Sequence, residues 1–128
     1  IGQANFLTCS LEKKNKESML LTFPSNETVL LERNRKRFSE HDHSKGLLFI
    51  RPERLDVVPV LGKTNSLRGE VKRILYLGSQ VRYFVQIFQK TAPQDVLVDK
   101  NRRIKDVKEG DEVALIFNED DIGLFPQE

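Results

Sequence analysis

The chain has 128 residues, with 21 Lys plus Arg against 19 Asp plus Glu and a net charge of +2. That balance lacks the basic excess of a dedicated nucleic-acid binder. Apolar residues make up 38% and charged ones 31%, a composition that folds rather than stays disordered, and no apolar run nears the ~20 residues of a membrane-crossing helix.

The first seven residues, Ile1-Gly2-Gln3-Ala4-Asn5-Phe6-Leu7, lack the basic, apolar and small-residue layout of a signal peptide. They read instead as a strand-forming passage from the interior of a longer chain. Ala4–Glu12 alternates weakly, Phe6, Thr8 and Ser10 against Leu7, Cys9 and Leu11. Cys9, the single cysteine, excludes an internal disulfide framework and suits a reducing compartment. In that apolar pattern it reads as a small buried hydrophobe. Met19–Phe23 and Thr28–Leu31 flank the turn former Pro24-Ser25-Asn26, which predicts a hairpin. Arg33–Lys45 has Phe38 as its one large apolar residue and reads as an exposed loop.

From Gly46 the pattern sharpens. Leu47–Ile50 reads as a buried strand stopped by Pro52, and Leu55–Val58 as another. Leu61–Ser66 is a connecting loop. Gly69–Leu77 and Val81–Phe88 form a predicted hairpin around Gly78-Ser79-Gln80. In its second arm Val81, Tyr83, Val85 and Ile87 share one face, and Phe84 and Phe88 lie on the other. Cover on both faces is therefore expected there. Val96–Val98 and Val113–Phe117 complete about nine short strands, with almost no helix. The prediction is an all-β chain of small OB- or SH3-like barrels packed together, since closure removes exposed edges.

Chemistry-bearing motifs are sparse. The sequence holds no GxxxxGK[ST], GxGxxG, GxSxG or HExxH pattern. Gly62-Lys63-Thr64 lacks the upstream glycine of a phosphate loop, that position being Val57. His41-Asp42-His43 is the one metal-like cluster, and in a polar loop it reads as solvated. Arg73, Tyr76, Arg82, Tyr83, Phe84 and Phe88 could offer single strands a stacking face, but the same spacing builds a barrel core. Nucleic acid is thus not an expected partner, and a free-standing OB-fold nucleic-acid binder stands only as an alternative reading. Residues 109–128 hold seven acids and no base, leaving 21 bases against 12 acids elsewhere. Such asymmetry can mark a docking face, and solvated barrel loops scatter charge in the same way.

Three passages carry a family resemblance: Phe49-Ile50-Arg51-Pro52-Glu53-Arg54-Leu55, then Asn65-Ser66-Leu67-Arg68-Gly69-Glu70-Val71, then Tyr76-Leu77-Gly78. In this order they resemble the IRPE-like strand, N-x-x-x-G-x-V strand and Y-L-G turn of TOBE domains. Those are transport-associated OB-like domains of ATP-binding subunits in bacterial ABC importers, here most similar to the polyamine and iron branch. Glu109-Gly110-Asp111-Glu112-Val113 resembles the late G-D-x-V segment, and Leu124-Phe125 the terminal strand. The opening seven residues resemble the passage joining the ATPase domain to this region. The resemblance runs from Ile1 to about Phe125, weakest over Glu12–Lys45.

The resemblance implies one regulatory unit over residues 1–128, with a first barrel segment in 1–60 and a TOBE segment in 61–128 that can exchange strands with it. It implies a non-enzymatic module, with ATP and Mg bound only in an ATPase domain upstream. Implied partners are that ATPase domain, a second copy of the subunit and, through the full protein, membrane permease subunits; the implied place is the cytoplasmic side of the inner membrane. Within the motifs, Gly69 and Gly78 would serve close backbone approach or positive φ at corners. Arg51 and Glu53, if extended, would share a strand face and form a polar clasp, with Pro52 at an edge. Asn65, Tyr76, Gly110 and Asp111 complete the motif positions, for which fold maintenance is the alternative role. Apolar surface around Tyr76–Phe88 could also drive self-association.

Thr64–Gly69 further resembles the A-R-N-x-L-x-G strand of molybdate- or tungstate-binding domains of the same fold. Their late A-L-I-K-A-S strand corresponds to Ala114-Leu115-Ile116-Phe117-Asn118-Glu119, where Phe117 stands at the lysine position and an acid comes two residues later. A missing cation beside an added acid disfavours a buried dianion.

Overall fold

The computed structural model describes residues 3–15, 17–32, 43–59, 65–88 and 93–127. Within them the chain forms ten strands: β1 (Asn5–Lys13), β2 (Met19–Thr22), β3 (Thr28–Leu31), β4 (His43–Ile50), β5 (Leu55–Pro59), β6 (Leu67–Leu77), β7 (Gln80–Ile87), β8 (Gln94–Lys100), β9 (Glu112–Phe117) and β10 (Ile122–Gln127). One-turn 3₁₀ helices at Pro52–Arg54 and Glu119–Asp121 lead into β5 and β10. The architecture is all-β, as the sequence predicts. The predicted loop Arg33–Lys45 is shorter than expected, because residues 43–45 already belong to β4; residues 33–42 lie outside the described set, as do 60–64.

The strands form two five-stranded antiparallel sheets, in the orders β10-β4-β1-β2-β3 and β5-β9-β6-β7-β8. These orders are one pattern used twice. Advancing each strand of the first sheet by five gives the second, with β10 and β5 trading places. Each half of the chain therefore lends its last strand to the sheet built by the other half. Register agrees: Leu7 faces Leu48 on β4, and Leu67 faces Leu115 on β9.

Period-two alternation decides which side chains go inside. On β1, Leu7, Cys9 and Leu11 are buried and Phe6, Thr8 and Ser10 face outward. On β7, Val81, Tyr83, Val85 and Ile87 point inward, with Tyr83 fully enclosed. The expectation of cover on the other face of β7 is corrected here. Phe84 is half-buried beneath the Arg73 guanidinium, 5.8 Å from its ring centre, and Phe88 is 43% exposed, because no further layer packs on that side among the described residues. Buried apolar side chains from both sheets form one continuous core.

β6 carries a bulge between Val71 and Arg73. The extra residue reverses the parity of the strand. Leu67 and Val71 point inward before it; Ile74 and Tyr76 oppose Tyr83 and Val81 after it. Gly69 sits where β6 crosses close to β7. A Cβ there would lie 2.7 Å from both the Gln86 carbonyl oxygen and the Val85 side chain.

Asparagine side chains join the halves. Asn5 Nδ2 donates to the Leu97 carbonyl at 2.8 Å, and Leu97 N–H donates to Asn5 Oδ1 at 2.9 Å. Asn5 thus imitates a neighbouring strand along the free edge of β8. In the other half, Leu30 N–H on β3 donates to Asn65 Oδ1 at 3.0 Å. Asn5 is 5% exposed, so its loss strands two polar groups in an apolar setting. Asn5→Ala is expected to cost about 2–4 kcal/mol and Asn65→Ala about 1 kcal/mol, measured by urea unfolding; equal costs would contradict the role given to Asn5.

Cys9 is buried on β1, and desolvation pushes its thiol from 9.0 up to about 12. With the folded pKa raised, the protonated thiol stabilises the fold below pH 9.0, and this contribution is lost as pH rises toward about 12. Iodoacetamide at pH 8 is expected to label Cys9 slowly in native protein and rapidly once denaturant unfolds it. Fast native labelling would contradict this burial.

Candidate functional site

The motif residues fall in separate parts of the fold rather than in one pocket. Arg51 caps the first 3₁₀ turn in an extended conformation, and Arg54 N–H donates to its carbonyl at 3.0 Å. The expected strand pairing of Arg51 with Glu53, and the edge position of Pro52, are both corrected. Pro52 occupies the start of the turn, where its fixed φ is favourable and its missing N–H costs nothing, and it is buried. The charge contact at this place is Arg54 with Asp121, 3.8 Å apart, linking the two 3₁₀ turns.

Gly69, Gly110 and Asp111 come together at the start of β9. Gly110 N–H donates to the Val71 carbonyl at 2.7 Å and Val71 N–H to the Asp111 carbonyl at 2.9 Å. Gly110 has φ +93°, a region open to glycine at little cost. The Asp111 carboxylate accepts from Lys108 N–H at 2.9 Å, closing the turn into the strand.

Tyr76 and Gly78 lie at the far tip of the β6–β7 hairpin. Gly78, φ +62°, makes the two-residue turn with Ser79. The Tyr76 ring is 68% exposed, and its hydroxyl accepts from Arg103 Nε at 3.0 Å. Arg103 also lies 6.0 Å above the Tyr83 ring and donates to the Val107 carbonyl. Hydroxyls of Tyr83 and Tyr76 favour its charged form. The six residues considered as a nucleic-acid face do not share one. Tyr83 is enclosed, Arg82 is held by Asp99 at 2.7 and 2.8 Å, and Tyr76 lies on the face opposite Arg73, Phe84 and Phe88.

The segment from Asn65 to Gly69, which leads into β6, has ligand-binding precedent in its pattern, and the protein's own groups occupy it. Arg68 N–H donates to Glu27 Oε2 at 2.9 Å, while Ser25 Oγ donates to Glu27 Oε1 at 2.9 Å. Asn65 is engaged by Leu30, and the Arg68 guanidinium lies 3.9 Å from Glu112. Phe117 stands on β9 opposite Leu55. A dianion at this strand would meet two carboxylates. Thr64, the remaining part of the motif, falls outside the described residues, as does His41-Asp42 of the histidine cluster. Among the described residues no three His, Cys, Asp or Glu side chains gather as a metal ligand set.

Sequence reading passed over Asn5, Glu27 and Gln94, which reach between the halves; Gln94 Nε2 donates to the Phe6 carbonyl at 2.5 Å. The signal that could have found them was repetition. Asn5-Phe6-Leu7 recurs as Asn65-Ser66-Leu67, and Ile50 and Pro59 recur in strand position as Phe117 and Pro126.

No helix among the described residues is long and apolar enough to cross a membrane. No curated protein sequence matches the chain. In fold it is similar to a cytoplasmic molybdate-binding protein, ModG, in a crystal form with molybdate bound: the TM-score is 0.72 at 10% identity, covering 98% of this chain and 97% of the other. The sequence pattern that defines TOBE domains matches residues 48–125. With that match spanning more than half of its length, the chain belongs to the TOBE domain family.

Proposed function

We propose that the chain is the non-catalytic regulatory and dimerisation module of the ATP-binding subunit of an ABC importer of the polyamine or iron type. The TOBE match over residues 48–125 is the observation that carries this reading. The mutual loan of β5 and β10 supports treating residues 1–128 as one unit, because neither sheet is complete without the other half. On this reading ATP and Mg bind in an ATPase domain encoded with the module. That domain and a second copy of the subunit are its direct partners, and permease subunits are reached through the full protein. The complex would lie on the cytoplasmic side of the inner membrane.

A second reading, binding of molybdate or tungstate, is favoured by the fold likeness to a molybdate-binding protein and by the Asn65–Gly69 pattern. The fold alone speaks more directly for this reading than for the first. The residues speak against it. Glu27 already accepts the Arg68 amide, Glu112 approaches the Arg68 guanidinium, and Phe117 replaces a cation. A buried dianion beside uncompensated carboxylates is costly.

Thermal melts with millimolar molybdate, tungstate or sulfate separate the readings, because a ligand that binds the folded state raises its Tm. The importer reading expects no shift with any of the three, and a coding sequence upstream of Ile1 that contains a phosphate loop and an ABC signature. Stabilisation by molybdate and tungstate but not by sulfate would replace it with the oxyanion reading.

A further inference from the structure

The two halves of the fold differ along one edge, because β6 runs on past the reach of its neighbour and β1 does not. In the first half, β4 accompanies β1 from Asn5, opposite Ile50, to Glu12, opposite His43. In the second, β9 accompanies β6 only from Leu67 to Glu70. Asp111 and Gly110 hold Val71, and the chain then turns away, while β6 continues to Leu77 with β7 as its one strand neighbour among the described residues. With Leu7 matching Leu67, the stretch of β1 that His43–Gly46 covers corresponds to Gly69–Lys72, and Arg73–Leu77 runs on past it.

Hairpin register fixes which backbone groups this leaves open. The closing pair Leu77 and Gln80 is hydrogen-bonded across a two-residue turn, so Leu75 and Arg73 also direct their N–H and C=O toward β7. Ile74 and Tyr76 direct theirs outward. Ile74 N–H is taken by the Glu109 carboxylate at 2.9 Å, and the outward N–H of Tyr76 has no partner among the described residues. The edge is flanked by Tyr76 and Leu77, 68% and 45% exposed, and lacks the proline that would block pairing there.

Charge indicates what fits. Residues 71–77 and the bordering loop 101–111 hold six cations and three carboxylates. Two of those carboxylates, Glu109 and Asp111, are already engaged by the N–H groups of Ile74 and Lys108. The loop borders an open concavity of about 490 Å³ lined by Arg103, Lys105 and Lys108 together with Asp106 and Asp111. Pairing two copies through this edge would set two cationic borders side by side, whereas an acidic strand would neutralise one.

We propose that the open edge Arg73–Leu77 receives an acidic, extended segment of a partner protein as an added antiparallel strand, beside the part of β6 that runs past the end of β9. This docking goes beyond the importer reading and does not depend on it.

The test is a random heptapeptide library panned on the 128-residue chain, with enriched peptides resynthesised. Enriched sequences are expected to alternate apolar residues with Asp or Glu and to shift the amide resonances of residues 72–77. Tyr76→Pro removes an outward N–H and no β6–β7 hydrogen bond, so it is expected to weaken binding about tenfold, the loss of one hydrogen bond; Tyr76→Phe is expected to bind normally. Should Tyr76→Pro fail to fold, the amide shifts in the unaltered chain decide. Enrichment of no acidic peptide, shifts centred elsewhere (on Phe6, Phe49 and Phe125, for example), or affinity indifferent to a folded Tyr76→Pro would overturn the proposal. Concentration-dependent dimerisation abolished by Tyr76→Pro would overturn it too, assigning the edge to a second copy.

Discussion

Everything in this fold depends on the mutual loan of one strand. A five-stranded half-barrel that kept its own last strand could close and stand alone. Here β5 pairs with β9 and β10 pairs with β4, so each sheet is finished by a strand from the other half. The asparagines act on the same constraint at the opposite ends of the sheets. Asn5 covers the free edge of β8 and Asn65 that of β3, supplying acceptors, and in Asn5 a donor, where a strand would otherwise be needed. The Arg54–Asp121 contact between the two 3₁₀ turns marks the place where the exchanged strands depart. It is surface-exposed and contributes little by itself.

This duplication was only partly legible in the sequence. Strand positions were readable wherever alternation was regular, as in Leu7–Leu11 and Val81–Ile87, because burial on one face imposes a period of two. The β6–β7 hairpin was readable from Gly78 for a similar local reason. Two features were not. Arg51-Pro52-Glu53 looked extended, since the residue before a proline is extended; the 3₁₀ turn beyond Arg51 depends on the burial of Pro52, which is a tertiary fact. The bulge at Val71–Arg73 leaves no mark in composition, yet it reverses which side chains of β6 face inward. It turns Tyr76 away from Phe84 and Phe88, while alternation alone sets Arg73 on the other face from Tyr76, so the stacking face expected from these residues is divided.

Of the candidate site, identity was more legible than role. Asn65 and Gly69 stand out as members of a pattern, but what they do comes from residues far away in sequence. Glu27, 41 positions before Arg68, fills with its carboxylate the place where the pattern suggests an anion. A lone Glu in a predicted turn gives no warning of this. A fold does not by itself fix what a domain binds, and at this segment Glu27 and Phe117 are side chains that the fold alone would not foretell.

The strand exchange also has a consequence for how the molecule is made. During synthesis β1 to β4 emerge ahead of β5 to β9, yet the strand that completes their sheet, Ile122–Gln127, follows all of these. The first half must therefore wait, with the outer edge of β4 unpaired, until the second half has left the ribosome. Closing a contact between residues 50 and 122 is slow compared with closing a hairpin. The nascent first half is thus the segment most in need of protection from aggregation, and the second half, which already holds β5 when β9 appears, is placed to fold ahead of it.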